Sequence, residues 1–422
     1  MALMLGSVFL LFNRVIRTLI GRDDLMMIAV VPSLLLFFYT MPVDHSLQLP
    51  VAVLLLLILL NLVLLPFRNH FKKYTYFPLK RLLPKRASAW VTLALILVYG
   101  GLGYYYFMRS YNVSEHIMLK AEQHAKQKNW EKVLEYTGSY LNRGRGNQLI
   151  SYLHTLGLYH QGQLPYQLFD HPRVMGVESL YFSWKSDSRE SEYGYMLYED
   201  LGYINEAHRW EFEAMVVWGE TAPHLMNLAR YNLVNDRPLV AQRFINLLKQ
   251  SLFYRDEARM MEEGADEVIA AFPRNALVGT VDTPARFVNV FNIGPELQYL
   301  LDNDPDNQMA FEYLMSQLLL SNHVERFAKN LQYIRNFDYP AMPPVYEEAL
   351  FIFQLGASDE EFEQIGFTVG EETRRRFDRY YELLQSNQLQ RLQNEFGSTY
   401  WYYLHFISPY GNKVITDERI EQ

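Results

Sequence analysis

Cysteine is absent from all 422 residues. Its absence removes disulfides, thiol nucleophiles and thiolate metal sites together, so any exported part must be held by its core alone. Strand signals are scarce after Ser114: few β-branched runs alternate with period two, and Asn-Gly and Asp-Gly hairpin turns are missing. Most of the chain also lacks a basic excess. Ten of the 39 Lys/Arg and three of the 47 Asp/Glu precede position 108, leaving 29 against 44 beyond it. That acidic remainder excludes nucleic acid as a partner, because phosphates demand a basic footprint.

Signatures of chemistry are missing as well. No His-Glu-x-x-His pair and no Gly-x-Ser-x-Gly elbow occurs. Gly144-Arg145-Gly146 is too short for a phosphate-cradling loop and has no Lys-Ser/Thr after it. His208, Glu211 and Glu213 come closest to a metal cluster, yet no third ligand of suitable spacing joins the first two, and a solvated helix face is the simpler reading. Asp302, Asp304 and Asp306 mimic the start of a calcium loop, but its sixth and twelfth positions are Asn307 and Tyr313 instead of Gly and Glu. A turn capping the next helix explains them better. Asn112-Val113-Ser114 is a formal glycosylation sequon and too short to carry weight. No catalytic residue, cofactor or metal is expected.

What the chain does have is hydrophobic length at its start. Residues 25–43, 50–67 and 87–107 are three apolar runs of spanning length without a charged residue inside them. They predict a transmembrane anchor over residues 1–110. Residues 1–20 are either a fourth short span, an interfacial segment, or the opening of a membrane domain that continues upstream; Arg14, Arg17 and Arg22 follow the apolar stretch, which argues against a cleaved signal. The loop holding Arg68, Lys72, Lys73, Lys80, Arg81, Lys85 and Arg86 contains no acid, so the positive-inside rule keeps it cytoplasmic. Residues 111–422 would then lie outside, periplasmic for a bacterial inner-membrane protein. Asn61 is the one strongly polar group in the spans, and a single interhelical hydrogen bond accounts for it.

Helical periodicity dominates the rest. Val240, Phe244, Leu247 and Leu248 form one stripe, and helices of about 12–16 residues alternate with short polar turns. Residues 163–185 hold two prolines and read as a loop crossing the helical stack; residues 272–293 are richer in Val and Thr and read as an extended insertion. The aromatic block Tyr400, Trp401, Tyr402, Tyr403 and Phe406 either caps the last hydrophobic face or offers a contact patch. The tail after Pro409 is polar.

Tyr198, Gly202, Ala207 and Ala214 occupy four signature positions of the tetratricopeptide repeat, and Ala241 lies 34 residues after Ala207. A second unit runs from Asp304-Pro305-Asp306-Asn307 through Phe311 and Leu314, departing at Phe327 where the repeat has alanine; a third begins at Asn129-Trp130. On these residues the chain resembles the tetratricopeptide family, in degenerate form. The whole layout is similar to an uncharacterised family of bacterial inner-membrane proteins, which implies no activity. The fold expected is all-α: transmembrane helices followed by a tetratricopeptide-like α-solenoid. Its function would be a membrane-tethered scaffold binding a protein or peptide. The repeat register implies a partner groove lined by Glu192, Met196, Glu199, Met226, Arg230, Glu312 and Ser316, acidic on one side and suited to a Lys- or Arg-bearing segment. The alternatives are a subunit or partial chain of a membrane enzyme acting on envelope lipids or glycans, and a purely structural anchor.

Overall fold

The computed structural model describes residues 2–20, 29–40, 48–66, 107–143, 146–183, 188–271 and 292–411, with isolated positions between 90 and 105. Every regular element among them is helical. The chain divides into two compact units, Met1–Asn112 and Val113–Gln422.

In the first unit, α1 (Ala2–Ile20) packs against α2 (Val30–Thr40) and α3 (Gln48–Leu64). Val8, Leu36 and Leu57 meet at their centre, while Leu55, Leu59 and Leu62 face outward. Ser33 Oγ donates to the Leu5 carbonyl at 3.0 Å, and Asn61 Nδ2 to the Leu11 carbonyl at 3.1 Å, the interhelical bond its sequence position suggested. The expectation of transmembrane helices is corrected here: among the described residues, no helix is long and apolar enough to cross a membrane. Hydropathy scored runs of residues, whereas crossing needs helix. The 11 residues of α2 reach about 16 Å and the 17 of α3 about 25 Å, both short of a hydrocarbon core of about 30 Å. Helix α1 is longer but carries Arg14 and Arg17. Most of the third run, the ends of the first and the basic loop lie outside the described residues. The placement of the second unit outside a membrane rested on those spans and loses that support.

The second unit is a succession of helices that pack mainly on their chain neighbours. They are α4 (Val113–Lys126), α5 (Trp130–Leu141), α6 (Gln148–His160), α7 (Tyr195–Asp200), α8 (Ile204–Trp218), α9 (Ala222–Val234), α10 (Pro238–Leu248), α11 (Arg255–Glu263) and α12 (Ala265–Ala270). After the undescribed residues 272–291 come α13 (Gly294–Asn303), α14 (Gln308–Leu320), α15 (Val324–Asn330), α16 (Pro344–Gly356), α17 (Asp359–Ile365), α18 (Glu371–Gln385) and α19 (Leu389–Phe396).

One corner recurs through this unit. At six of the positive-φ positions a single residue ends a helix and the next residue is the N-cap of another: Lys128, Gly162, Gly202, Asp236, Asn322 and Asn387. At each, the following amide donates to a carbonyl five residues back: Asn129 to His124 (3.0 Å), Gln163 to Leu158 (2.8 Å), Tyr203 to Tyr198 (2.8 Å), Arg237 to Asn232 (2.8 Å), His323 to Leu318 (2.8 Å) and Gln388 to Leu383 (3.0 Å). This is the bond by which a helix end satisfies its orphan carbonyls before reversing. Only two of the six positions are glycine, so the corner is carried by backbone geometry more than by a residue type.

Two cores result. The larger joins α4–α8 to α13–α19 and holds the fully buried Trp401, Tyr152, Tyr313, Tyr346, Tyr380 and Tyr400. The aromatic block is therefore mostly core: Tyr403 is buried too and donates to the Leu320 carbonyl at 2.6 Å, while Phe406 stays half-exposed. The smaller core belongs to an arm, α9–α12, built on Leu225, Ala229, Leu233, Ala241, Ile245, Leu248, Ala258 and Met261. On α10 the buried stripe is Ala241, Ile245 and Leu248; of the expected stripe Leu248 is buried and Phe244 packs against the core, while Val240 and Leu247 are exposed. The segment of residues 163–183 does cross the stack: its short helices Leu164–Gln167 and Gly176–Ser179 touch α6, α14 and, for the first, α16. The extended insertion expected at 272–293 lies, except for its last two residues, outside the described part.

Candidate functional site

The seven residues of the expected groove occupy two places. Glu192 precedes α7, and Met196 and Glu199 lie on it. Their neighbour is α9, which carries Met226 and Arg230. Tyr195, also on α7, sits in the field of Glu211, Glu199 and Arg230 and bonds Asn227; burial first, and the carboxylates after it, push its phenol far above the usual range. Glu312 and Ser316 lie on α14, in the larger core.

The acids of the first place are already paired. Lys126 Nζ reaches Glu192 at 2.6 Å. Glu199, only 7% exposed, accepts from Tyr231 Oη at 2.5 Å and lies 3.4 Å from Lys128 Nζ. Met196 is buried, Met226 packs against the arm's core, and Arg230 donates to Asn227 at 3.2 Å. Basic side chains from α4 and its corner thus take up the charge that the repeat register would have offered to a partner.

Beside them lies a closed carboxylate–imidazole pair. His224 and Glu211 are both buried and meet at 2.7 Å through Nδ1, with Asn227 donating to the other oxygen of Glu211. His224 Nε2 is enclosed and makes no hydrogen bond among the described residues. The suspected metal trio disperses: His208 Nε2 lies 3.0 Å from Asn232 Nδ2, Glu211 serves His224, and Glu213 pairs with Arg209. Asp302 accepts from Gln298 and Tyr333, at 2.9 and 3.0 Å, and the helix cap itself is Asn307, whose side chain accepts from the Ala310 amide at 2.9 Å.

The second place is different. Glu312 is 1% exposed; its Oε1 accepts from Gln308 Nε2 at 2.9 Å and Tyr339 Oη at 2.7 Å, while Oε2 has no hydrogen-bond partner. Burial raises its carboxyl above the ordinary range, and the two donors offset part of that. The hydroxyls of Tyr166 and Tyr346 also lack partners. Burial and then the Glu312 charge raise the phenols of Tyr159, Tyr166 and Tyr339; Tyr346 responds to burial, Tyr339, Glu312 and Tyr166 in that order. Of these tyrosines, Tyr339 is the one hydrogen-bonded to the carboxylate among the described residues. Ser316 adds nothing to it, since its hydroxyl donates to the Glu312 carbonyl at 2.8 Å.

Two further buried charges were not legible in advance. Arg173, in the crossing segment, donates to the Leu168 carbonyl at 2.7 Å and to Thr155 Oγ1 at 3.1 Å, and burial pulls its guanidinium down to about 10. Glu348 on α16 accepts from the Tyr400 amide at 2.9 Å and Arg376 at 3.1 Å, and burial still pushes it up to about 7. Apart from the local Arg173–Leu168 bond, the partners lie 18 to 52 positions apart, so spacing alone carries no sign of them. The Gln308–Glu312 pair was readable, being one helical turn apart.

No curated protein and no solved structure matches the chain. A family model described as a family of unknown function (DUF6057) matches residues 65–407, most of the chain and nearly all of the helical unit just described. The chain belongs to that family.

Proposed function

We propose that the helical unit is a tetratricopeptide-like scaffold that binds a protein or peptide segment. The observation that carries this reading is the repeated corner. Lys128 to Gly162 and Gly202 to Asp236 are each 34 residues apart, the period of the repeat. Ala207, Ala214, Ala229 and Ala241, fully buried, allow the close helix approach that such pairs need. Stacks of this kind expose extended surfaces to partners. With Glu192 and Glu199 occupied by lysines and a tyrosine, the contact surface favoured is apolar. On the arm, Leu239, Leu252 and Phe253 are 84%, 85% and 84% exposed, and Met260 adds to them. These exposed apolar side chains support an apolar contact with another chain.

A photo-crosslinking residue placed at Phe253 or Leu239 of the full chain tests this in the native cell. The expected result is one discrete adduct from either arm position and none from Glu372, an exposed polar position on α18. The same faint ladder from all three positions would remove the scaffold reading.

A further inference from the structure

We propose that the arm is a hinged element, held shut against α7 and α8 by a polar seam on α9 and able to swing about Gly219. Helix α9 has two packed faces. Leu225, Ala229 and Leu233, at i, i+4 and i+8, belong to the arm's own core. His224, Asn227 and Tyr231, at i, i+3 and i+7, form the other face, and each is bonded to a preceding helix. Tyr231 Oη donates to Glu199 on α7 at 2.5 Å. Asn227 donates to Glu211 on α8, and His224 Nδ1 lies 2.7 Å from the second oxygen of that carboxylate. Asn232 Nδ2, beside Tyr231, lies 3.0 Å from His208 Nε2 on α8.

Such a seam closes in one register and opens at low free energy. Each donor has its own acceptor, so a slipped arm would leave carboxylates buried without partners. When the arm swings out, water takes over these bonds, a replacement that a parted apolar face does not have. Opening also satisfies an atom that closure leaves alone: His224 Nε2, enclosed and without a hydrogen bond among the described residues. Apolar contact across the joint includes Met215 on α8 and Val268 on α12, both partly exposed.

The connection between α8 and α9 suits a pivot. Gly219, Glu220 and Thr221 join them, all exposed, without the bond that fastens the six corners. Gly219 stands at φ +89° and ψ 179°, a conformation that glycine alone adopts readily. Nothing lies within 4 Å of where its Cβ would be. A few residues at the end of an element are what absorb the rotation in hinge motion.

The chain has no cysteine, so a single introduced thiol reports local opening through its rate of alkylation by excess iodoacetamide. In the full chain, Ala214→Cys, one turn past Glu211 on α8, reads the seam. Ala258→Cys reads the arm's core and Ala349→Cys the larger core, all three positions being fully buried. Ala214→Cys should react fastest, Ala258→Cys more slowly and Ala349→Cys slowest. Adding Tyr231→Phe, which removes one bond to a charged acceptor, should speed Ala214→Cys about tenfold and leave the other two within about twofold. Adding Gly219→Ala should also speed Ala214→Cys, because a swing relieves the strain of a Cβ at this backbone conformation. Equal rates for Ala214→Cys and Ala258→Cys, rising together with Tyr231→Phe, would overturn the hinge in favour of an arm that melts. An Ala214→Cys rate that neither added substitution changes would overturn it too. Should a buried thiol disturb folding, spin labels at exposed positions decide: Arg243→Cys paired with Glu131→Cys, and Arg243→Cys paired with Glu263→Cys inside the arm. Tyr231→Phe should broaden the first distance distribution and leave the second unchanged; no change in either would remove the hinge. Crosslinking from Phe253 reads the arm's outer surface and leaves this result untouched.

Discussion

The arm, α9–α12, and the larger core turn their chains with the same left-handed corner, yet they bury different things. The arm's interior is aliphatic and small: three alanines, three leucines, an isoleucine and a methionine, with Phe244 and Tyr254 only partly covered. The larger core is filled with aromatic rings and threaded by buried charge, from Arg173 to Glu348. Ring contacts there are dense: Trp401 meets Phe377 at 5.1 Å and Tyr380 at 5.8 Å, and its Nε1 donates to the Glu348 carbonyl at 3.1 Å. A shared corner sets where the chain reverses. It does not set how firmly the helices on either side are held, which follows from the area and the polar bonds they bury. The contrast predicts an arm that opens at lower free energy than the rest of the unit.

Trp401→Ala is the most severe way to break that contrast. It removes a fully buried ring and an interior hydrogen bond, so chemical denaturation should show a loss of roughly 3–5 kcal/mol. Amide exchange should accelerate first around α16, α18 and α19, making the core resemble the arm. An arm that exchanges more slowly than the core in the parent chain would refute the comparison.

Acidity is a second and smaller lever on the core. Glu348 ionises in the fold only near pH 7, because burial outweighs the help from the Tyr400 amide and Arg376. The folded state therefore holds this proton after the unfolded chain has released it. Its contribution is complete below about pH 4.5 and is lost as pH rises through 7. The loss is on the order of 3 kcal/mol for a shift of this size. Denaturation midpoints measured from pH 4.5 to 7.5 should fall with pH in the parent and flatten over that interval in Glu348→Gln, if other groups titrate alike in both. A parent whose stability rises between pH 5 and 7 with no change in the variant would remove Glu348 from the account.

The sequence was most legible where physics is local. Helical periodicity and the capping turn ahead of α14 were readable from near neighbours, and Asn61 stood out as the polar group of an apolar run. The crossing path of residues 163–183 was visible in its prolines. Register was harder: on α10 Ala241 is buried where Val240 was expected, because both are apolar and only packing chooses between them. Membrane spans were misread because an apolar run states composition and not helix length. The candidate site was legible in part. Repeat register reached Glu312 but also Glu199, and nothing near either residue in sequence reveals that Lys128 and Tyr231 engage one while the other keeps a bare oxygen.

The smallest effect tests the corner itself, which both regions share. Gly202, at φ +78°, reverses the chain between α7 and α8 at the edge of the core; Asp236, at φ +54°, does the same between α9 and α10 in the arm. A left-handed residue with a Cβ carries a steric cost that glycine avoids, and aspartate bears it better than most. Gly202→Ala should therefore destabilise by about 1–2 kcal/mol, and Asp236→Gly should stabilise by roughly 0.5 kcal/mol, Asp236 being exposed and free of core contacts. Opposite signs at matched positions are what a common corner requires. Because the gain falls in the arm, it should appear as slower exchange of α9 and α10 amides, with exchange around Trp401 unchanged. If Asp236→Gly destabilises as much as Gly202→Ala does, the two turns are held by different means, and their 34-residue spacing is coincidence.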